Sequence, residues 1–460
     1  MPRFLSAKPD SRLLPLPWNV PLDRWPREHL VALPRGISRH VVRFIRVDDE
    51  VYAAKELTEP TAFHEYRMLQ DLHRLNTPAV EPTAIVTGRA DDRGRPLDSV
   101  LLTRHLEFSL PYRSLFHSGV RQETVSRLLD AMVVLMARLH LIGFLWRDVS
   151  LSNILFRRDA GAFAAYLVDA ETAELHPRLS DGQRSHDLDI AIVNLFGEFS
   201  DLEAGQLLDE SLEPEALVRQ IEARYHALWS ELTGREEFSS GELYRIENRV
   251  RRLNQLGFDV AELDISTAAD GSTVQIQPKV VDAGHHSRRL MRLTGLDTEE
   301  NQARRLLNDL DTYRARTNQG DVPESVVAHE WLTRCFEPVV TAIPPHLTGK
   351  RDPAQIFHEV LDYRWYASQR ANREVPLTDA VQGYIADVLT ALPDEVTGSV
   401  AQGDDHARHQ LNPYDPSEGY AEDLEAPPHD PWDADALDPD TEVLPAVLDI
   451  EALRRRQKGK

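Results

Sequence analysis

The chain has 460 residues, with 52 Lys and Arg against 75 Asp and Glu, a formal net charge of −23 and a single cysteine. An acidic balance of this size argues against a general electrostatic attraction to nucleic acid or to anionic lipid, because both demand a basic face. Cys335 alone makes neither an internal disulfide nor a cysteine metal cluster, and a hydrophobic fraction of 42% over this length suffices for two or three globular units.

Residues 1–28 read as a proline-punctuated N-terminal arm whose Trp18 and Trp25 pack onto the body. No apolar run reaches the length of a signal peptide or of a membrane span, so the expectation is a soluble, cytoplasmic protein without a transmembrane segment. From His40 to Leu57 the sequence HVVRFIRVDDEVYAAKEL alternates around an Asp-Asp-Glu turn and predicts a β-hairpin. A helical period follows, with Phe63, Tyr66, Leu69, Leu72 and Leu75 at three-residue steps, and then two strand-like runs, AIVTG and SVLLTRHL. Residues 29–106 therefore begin as α+β.

Residues 107–257 are mainly helical. Leu128, Met132, Leu135 and Leu139 share one face of a helix that stops at Gly143. The runs NILFR and AAYLVDA predict a second hairpin, and three further helices follow, the last carrying Arg245, Arg249, Arg251 and Arg252 on a solvated face. Residues 258–281 alternate around Asp270-Gly271, a hairpin turn signal. Beyond them lie five amphipathic helices, one opening with Asp352 as cap and Pro353 in its first turn. Residues 258–395 thus form a mainly helical module whose core Trp331, Trp365 and Tyr366 fill. The last stretch, 396–460, is proline-rich, acidic and without apolar period, and is expected to be disordered.

The chemistry is concentrated in LHLIGFLWRDVSLSNILF, residues 139–156, and YLVDAE, residues 166–171. Phosphoryl transfer from a nucleotide needs a carboxylate to accept the proton of the attacking hydroxyl, and oxygen ligands to hold Mg2+ against the phosphates. Asp148 and Asn153 on one loop, with Asp169 on the adjacent hairpin, supply that set. Upstream, Lys55 ends a strand and Glu65 lies on the following helix; a strand lysine steered by a helix glutamate suits the α and β phosphates. Each residue alone is commonplace, and the signal is their order.

These motifs resemble the protein-kinase-like superfamily over about residues 30–260, and the short segment after Asp169 is similar to its lipopolysaccharide-kinase-like and other small-substrate branches. An uncharacterised bacterial family that joins such a domain to a C-terminal domain of unknown function is a further resemblance. The resemblance implies a two-lobed fold with a five-stranded N-lobe (29–106) and a helical C-lobe (107–257), and with ATP and Mg2+ between them. It implies Asp148 as catalytic base with Arg147 supporting the loop, Asn153 and Asp169 as metal ligands, Lys55 on the phosphates and Glu65 as its ion-pair partner. Asp187 or Asp189 is expected to anchor the loop, and His140 to be structural.

Three departures bear on activity. The loop expected to cover the phosphates, LPRGISRHVV, has one glycine, so Gly36, Ser38 and backbone amides must serve. Trp146 stands where protein kinases carry a structural His. Asp169-Ala170-Glu171 keeps the metal ligand and loses the flexible glycine, with Glu171 either a further ligand or a solvated charge. The leading expectation is a kinase acting on a hydroxyl of a small molecule, sugar, lipid or cell-envelope precursor. The alternative is a nucleotide-binding pseudokinase that acts as a regulatory module, with a protein partner reached through the C-terminal module or tail.

Overall fold

The N-terminal arm supplies β1 (Arg3–Leu5), β2 (Leu30–Val31) comes just after it, and the predicted hairpin follows as β3 (Val42–Val47) and β4 (Glu50–Leu57). Asp48 takes the left-handed conformation at its turn, φ +53°, which a short polar side chain tolerates. Then come α1 (Glu59–Arg74), β5 (Pro82–Thr87) and β6 (Ser99–Arg104). The strands make one antiparallel sheet in the order β1-β5-β6-β4-β3-β2. It has six strands, the implied five from residues 29–106 and, at one edge, β1 of the arm, whose three residues are too short to show alternation. The computed structural model describes residues 2–33, 39–116, 122–209, 211–234, 236–239, 244–255, 257–267 and 273–396.

Each face of the sheet is covered. On one, Trp18 and Trp25 meet edge to face at 5.1 Å and bury against Ile45, Tyr52 and Val100, each large side chain contributing about 1.5–3 kcal/mol. Buried Arg89 pins this arm: its guanidinium donates to the carbonyls of Trp18 (3.0 Å) and Val20 (2.6 Å) and pairs with Glu56 at 2.8 Å. On the other, α1 lays down Ala62, Tyr66, Leu69 and Leu72, spaced three or four apart. Glu65 shares that buried face.

The second lobe contains β7 (Ser109–Pro111), α2 (Tyr112–Phe116), α3 (Gln122–Leu141), β8 (Phe144–Leu145), β9 (Ile154–Asp159), β10 (Ala162–Leu167), β11 (Glu174–Leu175), α4 (Asp181–Ala204) and α5 (Pro214–Thr233). The predicted apolar face of α3 is buried and packs against α5 and β10. Strands β9 and β10 turn through Ala160 (φ +50°) and Gly161 (φ +86°), the backbone a two-residue hairpin needs.

Next come β12 (Glu236–Ser239), α6 (Tyr244–Gln255), β13 (Phe258–Thr267) and β14 (Thr273–Ala283), in the sheet order β12-β14-β13. Six helices complete the described chain: α7 (His285–Thr294), α8 (Glu300–Arg316), α9 (Glu324–Trp331), α10 (Glu337–Thr341), α11 (Pro353–Ala371) and α12 (Leu377–Asp387). The sequence suggests one helix where α9 and α10 stand. A π turn at Leu332–Phe336 separates them, because Pro338 lacks an N–H and its ring opposes the carbonyl four residues back. Asp352 caps α11 as expected, accepting from Ala354 and Gln355. Trp331 is fully buried, but Trp365 is 51% exposed and does not fill the core. Arg249 is also corrected: it is buried and donates to the carbonyls of Glu231 (2.6 Å) and Gly234 (2.8 Å), the carbonyls that the end of α5 leaves without partners. The Asp270-Gly271 turn and the acidic tail beyond residue 396 lie outside the described residues.

The helical segment meets the second lobe through buried polar groups. Asp159, at the end of β9, accepts from Asn301 N (3.1 Å), Asn301 Nδ2 (2.9 Å) and Gln302 N (2.7 Å), so it caps α8 from another part of the chain. Glu299 accepts from the Tyr166 hydroxyl at 2.7 Å and pairs with Arg157 at 2.9 Å. Glu395 pairs with Arg158 and Arg351. A six-stranded sheet with one long helix, a mainly helical second lobe and an appended helical segment make this the two-lobed, protein-kinase-like α+β fold that the sequence suggests.

Candidate active site

The loop that follows α3 is shaped before any side chain acts. Gly143 sits at φ +84°, and a Cβ there would lie 2.0 Å from the carbonyl oxygen of His176, so only glycine lets β8 pair with β11 at this point. The next residues are held from α4. Asp187, fully buried, accepts the N–H of Trp146 at 3.0 Å and of Arg147 at 2.6 Å. His140 Nε2 lies 3.1 Å from the same carboxylate, and its Nδ1 lies 2.5 Å from the Tyr225 hydroxyl. His140 is thus a brace, and Asp187 is the anchor; Asp189 is exposed.

Two more residues of α4 complete the cradle. Asn194 Nδ2 donates to the carbonyl of Val149 at 3.1 Å. Glu198 accepts from Leu151 N, Ser152 N and the Ser152 hydroxyl at 2.5, 3.0 and 2.5 Å. Burial raises the Glu198 carboxyl despite those donors. Neither residue stood out in the sequence, although Asp187, Asn194 and Glu198 at i, i+7 and i+11 form one stripe on a helix. Arg147 turns outward: its guanidinium pairs with Glu174 at 2.7 Å.

The candidate catalytic groups then meet through a chain of contacts. Asn153 Nδ2 donates to the Asp148 carbonyl (2.9 Å) and to its carboxylate (3.2 Å). The Asn153 carbonyl accepts Val168 N at 3.0 Å, which sets Asp169 beside it. Trp146 Nε1 donates to the Asp169 carbonyl at 2.8 Å, so the indole braces as well as packs. Lys55 Nζ lies 2.6 Å from Asp169, 3.0 Å from Glu65 and 3.5 Å from Glu171. Burial first, and then the charge of Asp169, pushes the Glu65 carboxyl up to about 7 against the pull of Lys55.

Glu171 belongs to this cluster and is not a solvated charge: its side chain is 7% exposed, 2.9 Å from His40 and paired with Arg39. One oxygen each from Glu65, Asp169 and Glu171 lies within 4.8 Å of the others. The donor set suits a hard divalent cation. Asp169 offers a carboxylate, and Asn153, whose Nδ2 is engaged by Asp148, keeps its side-chain oxygen for a metal. Gly36 and Ser38 lie outside the described residues. Arg39 and His40 were not distinguished in the sequence; their signal is their place between the one-glycine loop and the strand that pairs with Lys55.

Residues 41–192 match the model of the lipopolysaccharide kinase (Kdo/WaaP) family, and residues 227–389 match a domain of unknown function, DUF4032. The first match spans Lys55, Glu65, Arg147, Asp148, Asn153 and Asp169. A solved structure described as WaaP in complex with acyl carrier protein is 17% identical, aligns with 55% of this chain and 99% of that chain, and gives a TM-score of 0.34. Among curated proteins none matches. The enzyme class is that of a kinase, a class that uses ATP and usually a divalent metal. Among the described residues no helix is long and apolar enough to cross a membrane.

Proposed function

We propose that the chain is an ATP- and Mg2+-dependent phosphotransferase whose acceptor is a hydroxyl of a sugar, lipid, other small molecule or cell-envelope precursor. The observation that carries this reading is the unbroken set of contacts from Lys55 through Asp169 and Asn153 to Asp148. Asp148 takes the proton of the acceptor hydroxyl as its oxygen attacks the γ-phosphorus and ADP leaves. Lys55, steered by Glu65, holds the α and β phosphates. Asn153 and Asp169 would hold Mg2+, which supplies charge neutralisation on the phosphates. Arg147 supports the loop through Glu174 and Asp187. The sugar or lipid acceptor follows from the name of the matched family. ATP as donor places the reaction in the cytoplasm.

We divide the chain accordingly into an arm (1–28), an N-lobe (29–106), a C-lobe (107–257), a helical domain (258–395) and an acidic tail (396–460), the last two being the surfaces for a protein partner. Purified protein given labelled ATP, Mg2+ and an extract of metabolites and envelope lipids should yield a labelled product that Asp148→Ala fails to make. If wild type and variant label the same species equally, the proposal is wrong. One observation favours a second reading, a nucleotide sensor without transfer: Lys55 is claimed by three carboxylates at once. Nucleotide binding with no labelled product under any acceptor would select it.

A further inference from the structure

Lys55 is not the only cation at the candidate phosphate site. Val42 of β3 pairs directly with Lys55 of β4, so Arg39 and His40, three and two residues before it, are carried by the backbone to the same end of the sheet. Both side chains turn to Glu171, Arg39 in an ion pair and His40 at 2.9 Å, while Lys55 stands 3.5 Å from that carboxylate. Glu171 Oε2 is a buried oxygen without an aligned hydrogen bond, although His40 Nε2 is close to it. The contacts of this oxygen are thus electrostatic and poorly directed, which favours giving its neighbours up to a better-shaped anion.

We propose that Arg39 and His40 form a clasp for the nucleotide's phosphates, and that Glu171 occupies the clasp when no nucleotide is bound. This rests on the phosphotransferase reading above. A glycine-rich loop grips phosphate through closely approaching backbone N–H groups, and this chain has a single glycine in that loop. Side-chain donors at the end of the loop compensate. A guanidinium suits the task, since its planar fork matches two phosphate oxygens as well as it matches a carboxylate. Arg39 is 65% exposed and can swing from one to the other; the Glu171 side chain is 7% exposed, on a backbone whose N–H donates to an Asp169 carboxylate oxygen at 3.1 Å, and is the less mobile partner. The carboxylate therefore stays while Arg39, which also donates to His40 Nε2 at 3.3 Å, changes partner and carries the His40 ring with it. Glu171 becomes a competitor of the phosphates, which explains an acidic residue where the resemblance leads one to expect glycine.

The test is calorimetric titration of the full chain with Mg2+-ATP, Mg2+-ADP and adenosine, alongside the transfer assay. Arg39→Ala combined with His40→Ala should weaken ATP by about 10-fold or more and leave adenosine unchanged, with the thermal midpoint unaltered as a check on folding. Glu171→Gln should tighten ATP by several-fold. If the ratio of ATP to adenosine affinity is the same in wild type and in the double variant, the clasp is overturned, even where transfer by the wild type upholds the parent reading. If the wild type binds no ATP, both fall together.

Discussion

The carboxylate of Asp187 accepts the backbone N–H of Arg147 at 2.6 Å, and Arg147 sits at φ +66°. That conformation costs a residue with a Cβ about 1–3 kcal/mol, and the buried carboxylate offsets it while holding Asp148 one residue on. Asp187→Ala should release this turn, and displacing Asp148, the base of the proposed function, should cost on the order of 100-fold in kcat. ATP affinity, which the proposed function assigns to Lys55 and its neighbours, should stay within a few-fold. Steady-state rates set beside nucleotide Kd values check this, and an equal loss in both would refute it.

Trp146→Phe removes the donor that reaches the Asp169 carbonyl at 2.8 Å and keeps most of the ring volume. A lost hydrogen bond at a half-buried acceptor costs about 0.5–1.5 kcal/mol, so urea denaturation should show a loss in that range. Trp146→His restores a donor but leaves a smaller ring in a fully buried site, and should be less stable than Phe if packing dominates.

The pH dependence of stability should be visible at Asp159. Burial first, and then the charge of Glu299, raises its carboxyl from 3.8 to about 7, against three donors from Asn301 and Gln302 and the positive charge of Arg304. A group with a raised folded pKa stabilises fully below its unfolded value and loses that contribution as pH rises through the folded one. Unfolding free energy should therefore fall between about pH 4 and about pH 7. Asp159→Asn, which does not titrate, should flatten that slope whatever it does to absolute stability. Chemical denaturation at several pH values decides it, and parallel curves would count against the argument.

Arg249→Ala should destabilise by about 2–3 kcal/mol, since it strips a charged donor from the carbonyls that end α5. Arg249→Lys should recover part of this, a single ammonium reaching fewer carbonyls than the fork. A loss below about half a kcal/mol would show a solvated residue after all.

Much of the site was legible because its residues are few, polar and ordered along the chain. Lys55, Glu65, Asp148, Asn153 and Asp169 are the residue types that phosphoryl transfer calls for, and the fold brings them into one cluster. The helices were readable from apolar period, as Leu128, Met132, Leu135 and Leu139 show. What escaped were relationships between distant segments. Nothing near Glu198 shows that it receives the N–H groups of Leu151 and Ser152, and nothing near Arg249 shows that α5 ends beside it. Arg89, 2% exposed, carries no signal in the sequence because three of its partners are backbone carbonyls, which sequence does not distinguish, and the fourth, Glu56, is 33 residues away. The edge strands β1 and β2 are too short for alternation to be seen.

Strand β9 starts one residue after Asn153 and ends at Asp159, which caps α8. At about 3.3 Å per residue it is a strut of roughly 20 Å with both ends bonded. Its length is therefore constrained as tightly as its composition. A single inserted residue would turn Ile154 and Phe156, now buried, out of the core and send the outward side chains in. Either Asn153 would leave Asp148 or Asp159 would leave the helix it caps. Length variation in this chain should accordingly collect in its loops and spare the six residues from Ile154 to Asp159.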